Sequence, residues 1–146
     1  MKQIKKILFP IDFASNFETL VPWVQTFADK FGATVYVLFV AQDLSHFATF
    51  YVPHGNIEDF QKQAVDSARK RMAAAVEEFF NKIPKLETRV ELGSPAEKIL
   101  AFVQKEKVDM IIMGAHGRAG LDRVIFGSVA NKVVKSASCP VLTVHP

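Results

Sequence analysis

A set of glycines near the C-terminus is the part of the sequence with the clearest potential for chemistry. Two residues separate Gly114 from Gly117, and nine more separate Gly117 from Gly127, which Ser128 follows. A glycine can adopt a positive φ and expose its backbone N–H groups. The start of a helix carries about half a positive charge. Together with a serine hydroxyl, these groups form an anion site, so the segment indicates phosphate binding.

The same glycines also have a purely structural interpretation. Glycines are common after strands and before helices, and Ser128 would then be only an N-cap. The spacing is neither that of a P-loop, which has a lysine after the second glycine, nor that of a G-x-G-x-x-G fingerprint. From the residues alone, both interpretations stay open.

Four polar residues are further candidates for a ligand site. Asp12 ends the first apolar run and could bind ribose, a base edge or Mg²⁺, or could be a solvated strand end. His116 lies inside the glycine-rich segment, where we expect its backbone to matter more than its ring. Arg118 and Arg123 could reach phosphates or could be solvated charges.

Apolar patterning divides the chain into alternating strands and helices. The predicted strands are 4–11, 34–40, 88–92, 109–113 and 141–144. The predicted helices run from a cap at Ser15 to Phe31, and over 57–82, 95–107 and 128–136. The segment 42–56 has no clear period, and its Phe47 to Tyr51 aromatics could form a lid, a partner patch or packing against the long helix.

Details at two helices are predicted as well. Ser15 and Glu18 have the spacing of a capping box. Pro22 indicates either a kink or a helix that begins near Thr19. In the last helix, the pattern predicts three inward residues, Val129, Val133 and Val134.

Strands that alternate with helices are parallel and are joined by right-handed crossovers. In open sheets of this kind, ligands bind beyond the carboxyl ends of the strands, where the strand order reverses. With a central first strand, the reversal lies between strands one and four. The topology therefore predicts that Asp12 approaches the glycine-rich segment, an inference at the level of the fold.

Composition limits the class of protein. The 146 residues and 49% hydrophobic content fit one globular domain, which we expect to span 1–146. A net charge of +3 gives no support for nucleic-acid binding. The longest apolar run, 35–41, is far short of the roughly 18 residues of a membrane span. One cysteine, Cys139, excludes an internal disulfide and is expected to be buried and inert, so we expect a cytoplasmic protein.

Several separate stretches resemble the universal stress protein family over almost the full chain. They are Ile7-Leu8-Phe9-Pro10-Ile11-Asp12, Gly93-Ser94-Pro95-Ala96, the run from Asp109 to Arg118, Gly127-Ser128 and Cys139-Pro140-Val141. The glycine spacing is similar to that of the ATP-binding branch of this family. A match in several parts is more specific than one motif alone.

The resemblance implies a fold, a ligand and an assembly. The fold is a doubly wound, Rossmann-like α/β fold with a five-stranded parallel sheet in the order 3-2-1-4-5. The ligand is ATP, or ADP or AMP, with Mg²⁺, and the assembly is a homodimer through the strand Val141 to His145.

The resemblance also implies a set of binding residues. Pro10 and Asp12 line the adenosine part of the pocket, the backbone of Val40 meets adenine, and Met113 forms the floor. Ribose and phosphates are held by Gly114, Gly117, Gly127, Ser128 and Val129. Arg118 is a further candidate phosphate ligand, proposed from its charge and not from the resemblance. No catalytic residue is assigned.

Three functions are compatible with the sequence. The first is an ATP-binding regulator of the stress response, in which any hydrolysis is slow because no base for water and no P-loop lysine are evident. The second is an ATPase or nucleotidyl transferase, whose turnover would collapse on His116→Ala or Asp12→Ala. The third is a nucleotide-free dimeric adaptor, which would tolerate Gly127→Val.

Overall fold

The computed structural model describes residues 1–43, 57–115 and 127–145. Its strands are β1 Lys6–Ile11, β2 Thr34–Gln42, β3 Leu86–Gly93, β4 Met110–Gly114 and β5 Val141–Val144. Its helices are α1 Val21–Phe31, α2 Ile57–Phe79, α3 Pro95–Glu106 and α4 Ser128–Ser136, and a 3-10 turn, Phe17–Leu20, precedes α1. The strands form one parallel sheet in the order β3-β2-β1-β4-β5, which confirms the predicted fold.

Strand β1 lies at the centre of the sheet, between β2 and β4. Ile7 and Phe9 pack with α1 and α2 on one face, while Leu8 packs with α3 and α4 on the other. All three side chains are almost fully buried. A continuous apolar run suits such a strand because neither face meets water.

Asp109 ties the amino end of β1 to the chain just before β4. Its Oδ2 accepts hydrogen bonds from the backbone N–H groups of Lys5 at 2.9 Å and Lys6 at 3.0 Å. Its own N–H donates to the Lys6 carbonyl at 2.9 Å. Burial and the Asp109 charge both raise the pKa of the half-buried Cys139 thiol, which favours its unreactive form.

The start of α1 differs from the predicted capping box. The Ser15 hydroxyl donates to the Asp12 carbonyl at 2.7 Å instead of capping a helix. Helix α1 begins only at Val21, with Pro22 in its first turn. A proline is tolerated there because the first N–H groups of a helix have no partner within it. A later start, rather than a kink, therefore accommodates Pro22.

The inward face of α4 is narrower than predicted. Val133 is fully buried and Ala130 nearly so, but Val134 is 45% exposed. Ala130 and Val133 are three residues apart and lie on one side of the helix, whereas Val134 lies about 100° further round, away from that side. The prediction that Val134 faces inward is wrong.

We expect Phe80→Ala to lower the free energy of unfolding by about 3–5 kcal/mol, because the side chain is buried and its removal leaves a cavity. Phe80 is 1% exposed and packs edge-to-face on Phe9, at 6.0 Å between ring centroids. The matched control is Phe60→Ala, at a side chain that is 52% exposed, and it should change stability by less than about 0.5 kcal/mol. Urea unfolding of both variants measures the difference, and equal losses would contradict this packing.

Candidate functional site

A cleft of about 280 Å³ opens at the carboxyl edge of the sheet, where β1 and β4 lie side by side. After β1 the chain leads to α1 on one face, and α4, which follows β4 along the chain, covers the other. This divergence creates the crevice in which doubly wound proteins bind ligands. The described lining residues are Phe9, Pro10, Ile11, Asp12, Ser15, Asn16, Phe17, Leu20, Phe39, Val40, Gln42, Pro95, Met113, Gly114, Gly127, Ser128, Val129 and Ala130.

The structure brings most of the predicted binding residues together in this cleft. Eight of them are in its lining, namely Pro10, Asp12, Val40, Met113, Gly114, Gly127, Ser128 and Val129. Gly117 and Arg118 lie outside the described residues, as do His116 and Arg123. The contact of any of these residues with a ligand stays a prediction.

The turn after β1 forms one wall of the cleft and is held by Asp12. The Asp12 Oδ1 accepts a hydrogen bond from the Ala14 N–H at 3.0 Å. The Asp12 carbonyl accepts two more, from the Ser15 N–H at 3.0 Å and the Ser15 hydroxyl at 2.7 Å. An aspartate side chain that binds its own backbone two residues on is a common way to build a tight turn. Asp12 therefore has a structural role beside any role in ligand binding.

The opposite wall is the start of α4. Gly127 is the N-cap, with φ −56° and ψ 152°, and its carbonyl accepts the first helical bond from the Asn131 N–H at 2.9 Å. Ser128 is thus the first helical residue, with no side-chain capping bond, so the interpretation of Ser128 as only an N-cap is wrong.

The N–H of Gly127 has a structural partner. It donates to the Ala115 carbonyl at 2.9 Å, and the Ala115 N–H in turn donates to the Val144 carbonyl at 3.0 Å. These bonds join the two ends of the glycine-rich segment to each other and to β5. The N–H groups of Ser128, Val129 and Ala130 follow and have no acceptor within the helix, because they belong to its first turn. All three residues line the cleft, so their N–H groups are candidate donors to an anion among the described residues.

The rest of the lining is mainly apolar. Val40 and Met113 are 8% and 5% exposed, and Phe39 adds an aromatic ring. An apolar slot beside a helix N-terminus suits a ligand that combines a flat ring with an anionic group. Tyr36 and Cys139 have raised pKa values, chiefly through burial, but neither lies in the cleft.

Sequence reasoning missed about half of the lining. The missed residues are Phe9, Ile11, Ser15, Asn16, Phe17, Leu20, Phe39, Gln42, Pro95 and Ala130. Ser15 and Asn16 could have been included because the topology already placed their turn at the switch point. Gln42 was missed because β2 runs two residues beyond its predicted end.

Two kinds of feature, a membrane-spanning helix and a cluster of metal ligands, are absent from residues 1–43, 57–115 and 127–145. There, no helix combines the length and apolar character of a membrane span. Within the same ranges, no three His, Cys, Asp or Glu residues are grouped so that they could hold a metal ion.

The fold defines a doubly wound α/β protein with a cleft at the switch point of its sheet. Residues 3–145 match the model of the Universal stress protein family. The chain belongs to this family, which confirms the resemblance drawn from its motifs.

Three similar proteins illustrate the match. Universal stress protein MJ0531 of Methanocaldococcus jannaschii is 36% identical over 143 residues, which cover 96% of this chain and 81% of the relative. The solved structure of MJ0577 from the same organism has a TM-score of 0.83 at 28% identity and covers 99% of this chain and 98% of its own. A universal stress protein from Archaeoglobus fulgidus, solved in complex with dAMP, has a TM-score of 0.64 at 21% identity and covers 97% and 98%.

Proposed function

We propose that the protein binds an adenine nucleotide, ATP with Mg²⁺, in this cleft and acts as a nucleotide-dependent regulator in the stress response. The observation that carries the proposal is the first turn of α4 in the wall of a switch-point cleft that is otherwise largely apolar. The dAMP complex of the Archaeoglobus fulgidus relative supports the adenine nucleotide as the ligand class.

The start of α4 supplies the phosphate end of the proposed site. A helix N-terminus favours negative charge, and its first N–H groups point at the ligand. Because the N–H of Gly127 is bound to Ala115, the donors proposed for phosphate are those of Ser128, Val129 and Ala130. In the proposed site, the Ser128 hydroxyl adds a further donor.

The apolar part of the lining supplies the base end. An adenine ring needs a flat, dry slot with a few hydrogen-bonding groups at its rim. Val40 and Phe39 provide apolar surface, while the Asp12 turn offers polar atoms for the adenosine. A metal would have to be held largely by the nucleotide phosphates, as Mg²⁺ commonly is, because Asp12 is the one carboxylate in the described lining.

Regulation fits the described site better than rapid turnover. Phosphoryl transfer needs a group that positions the nucleophile and cations that neutralise the transferring phosphate. The described lining contains neither histidine nor lysine. The Asp12 Oδ1 is engaged by the Ala14 N–H. We therefore expect any hydrolysis to be slow, so that output depends on nucleotide occupancy.

We also propose a homodimer through the segment Val141 to His145. Within the described residues, β5 pairs with β4 alone, so its other edge is open in a single chain. An open edge is a template for another strand, and pairing across a two-fold axis would cover it.

Calorimetric titration of the nucleotide-stripped protein with Mg-ATP tests the proposed function. We expect saturable binding of about one nucleotide per chain with micromolar affinity, near −8 kcal/mol. Phosphate release measured on the same sample should be slow. No binding up to millimolar Mg-ATP would refute the proposal and favour the nucleotide-free adaptor. Rapid release would favour the enzyme.

A pair of variants at Ser128 distinguishes the contribution of its N–H to Mg-ATP binding from that of its hydroxyl. Ser128→Pro removes the N–H at a helix position that proline favours, and Gly127 already has the extended ψ of 152° that a following proline requires. We expect Ser128→Pro to weaken Mg-ATP binding about tenfold, the value of one hydrogen bond to a charged group. Ser128→Ala keeps the N–H and should weaken binding less. Equal affinities in the two variants would exclude this amide as a phosphate donor.

A proline at position 143 tests the dimer. The carbonyls of Pro140 and Val144 accept bonds from Ile111 and Ala115, so the alternate residue Thr143 directs its N–H to the open edge. Thr143→Pro removes that donor without breaking the β4–β5 ladder. We expect light scattering to give the mass of two chains for the wild type and for Thr143→Val, and of one chain for Thr143→Pro. A dimeric Thr143→Pro would place the interface elsewhere.

A further inference from the structure

Phe13 directly follows Asp12 but is not part of the described cleft lining. Its ring lies 4.6 Å from that of Phe39 and 6.1 Å from that of Phe17, measured between ring centroids. Phe39 and Phe17 both line the cleft. Phe13 therefore packs behind the cleft wall, in contact with Phe39 of β2 and Phe17 of the 3-10 turn.

Arg71 of α2 lies over the Phe13 ring. Its guanidinium carbon lies 4.7 Å from the centroid of the Phe13 ring, within the roughly 6 Å range of a cation–π contact. Among the described residues, the Arg71 side chain makes neither an ion pair nor a hydrogen bond. Its neighbour Arg69, in contrast, pairs with Asp66 at 3.8 Å. The Phe13 ring is thus the specific partner of Arg71.

The turn between Asp12 and Ser15 connects Phe13 to the cleft. Three hydrogen bonds close this turn on Asp12, from the Ala14 N–H, the Ser15 N–H and the Ser15 hydroxyl. Phe13 lies within this closed turn, and Asp12 and Ser15 on either side of it both line the cleft.

We propose that Arg71 is a positioning residue for the nucleotide cleft. It holds Phe13 against Phe39 and so keeps the Asp12 to Asn16 turn in the geometry that accepts the ligand. Arg71 lies outside the described lining of the cleft, so it acts through Phe13 and not on the nucleotide. The proposal rests on the proposed function for its ligand.

The expected effect is modest because Arg71 is exposed and an exposed cation–π contact is weak. Removing the charge in Arg71→Met, which keeps an unbranched apolar side chain, should weaken Mg-ATP binding about two- to fivefold. Arg71→Lys keeps a cation for the ring and should restore most of the affinity. Arg69→Met removes the same charge two residues away without touching the ring, and should leave affinity unchanged.

A double-mutant cycle with Phe13→Leu tests the route of action. If Arg71 acts through the ring, Arg71→Met adds no further loss of Mg-ATP affinity once Phe13 is leucine. Additive losses would overturn the proposal because Arg71 would then act on the ligand or on another part of the site. Equal losses in Arg69→Met and Arg71→Met would also overturn it, in favour of a general effect of charge.

Amide hydrogen exchange in the ligand-free protein tests, without ATP, whether Arg71 holds the turn between Asp12 and Ser15. We expect the Ala14 and Ser15 amides to exchange about two- to fivefold faster in Arg71→Met, while the buried Val37 amide of β2 is unchanged. Unchanged exchange at Ala14 and Ser15 would overturn the positioning role. If the wild type fails to bind Mg-ATP, the proposed function fails, but this exchange measurement still tests whether Arg71 holds the turn.

Discussion

The burial of β1 on both faces is the constraint on which the rest of the structure depends. Ile7, Leu8 and Phe9 are at most 1% exposed, so a helical layer must cover each side of the strand. One layer comes from α1 and α2 and the other from α3 and α4. Because crossovers between parallel strands are right-handed, the chain places helices on both faces of an open sheet by reversing the direction in which it adds strands, here beside β1. The cleft is therefore a consequence of how the central strand is covered.

Aromatic packing gives the cleft a firm back wall. Phe9, Phe17 and Phe39 line the cleft on one side and contact further phenylalanines behind it. Phe80, just beyond α2, lies against both Phe9 and Phe17. Large rings in contact fix their neighbours because protein interiors are close-packed and have little space to relax. Helix α2 contributes to this wall through its last residue, Phe79, whose ring lies 5.5 Å from that of Phe17 between centroids, but not to the described lining.

At the two walls of the cleft, hydrogen bonds within the protein already occupy some of the groups that could meet the proposed ligand. On the β1 side, Asp12 closes its own turn. On the α4 side, the N–H of Gly127 joins the ends of the glycine-rich segment by binding Ala115. Such fixed groups cost little reorganisation when a ligand arrives, since their geometry is set before binding. The same bonds decide which atoms remain for the ligand.

The sequence by itself determined the order of elements and the parallel sheet. These follow from apolar runs, helical spacing and turn residues, which are local signals. The strand order was implied by the family resemblance, and with a central first strand it placed Asp12 near Gly114 and Gly127. The motifs also determined the family, because several separate stretches of the chain match it.

Only the tertiary structure decided the details that depend on residues distant in the sequence. The exposure of Val134 depends on how α4 lies against the sheet. The contact of Arg71 with Phe13 joins residues from two elements far apart in the chain. No local pattern encodes such contacts, because packing geometry and not propensity selects them.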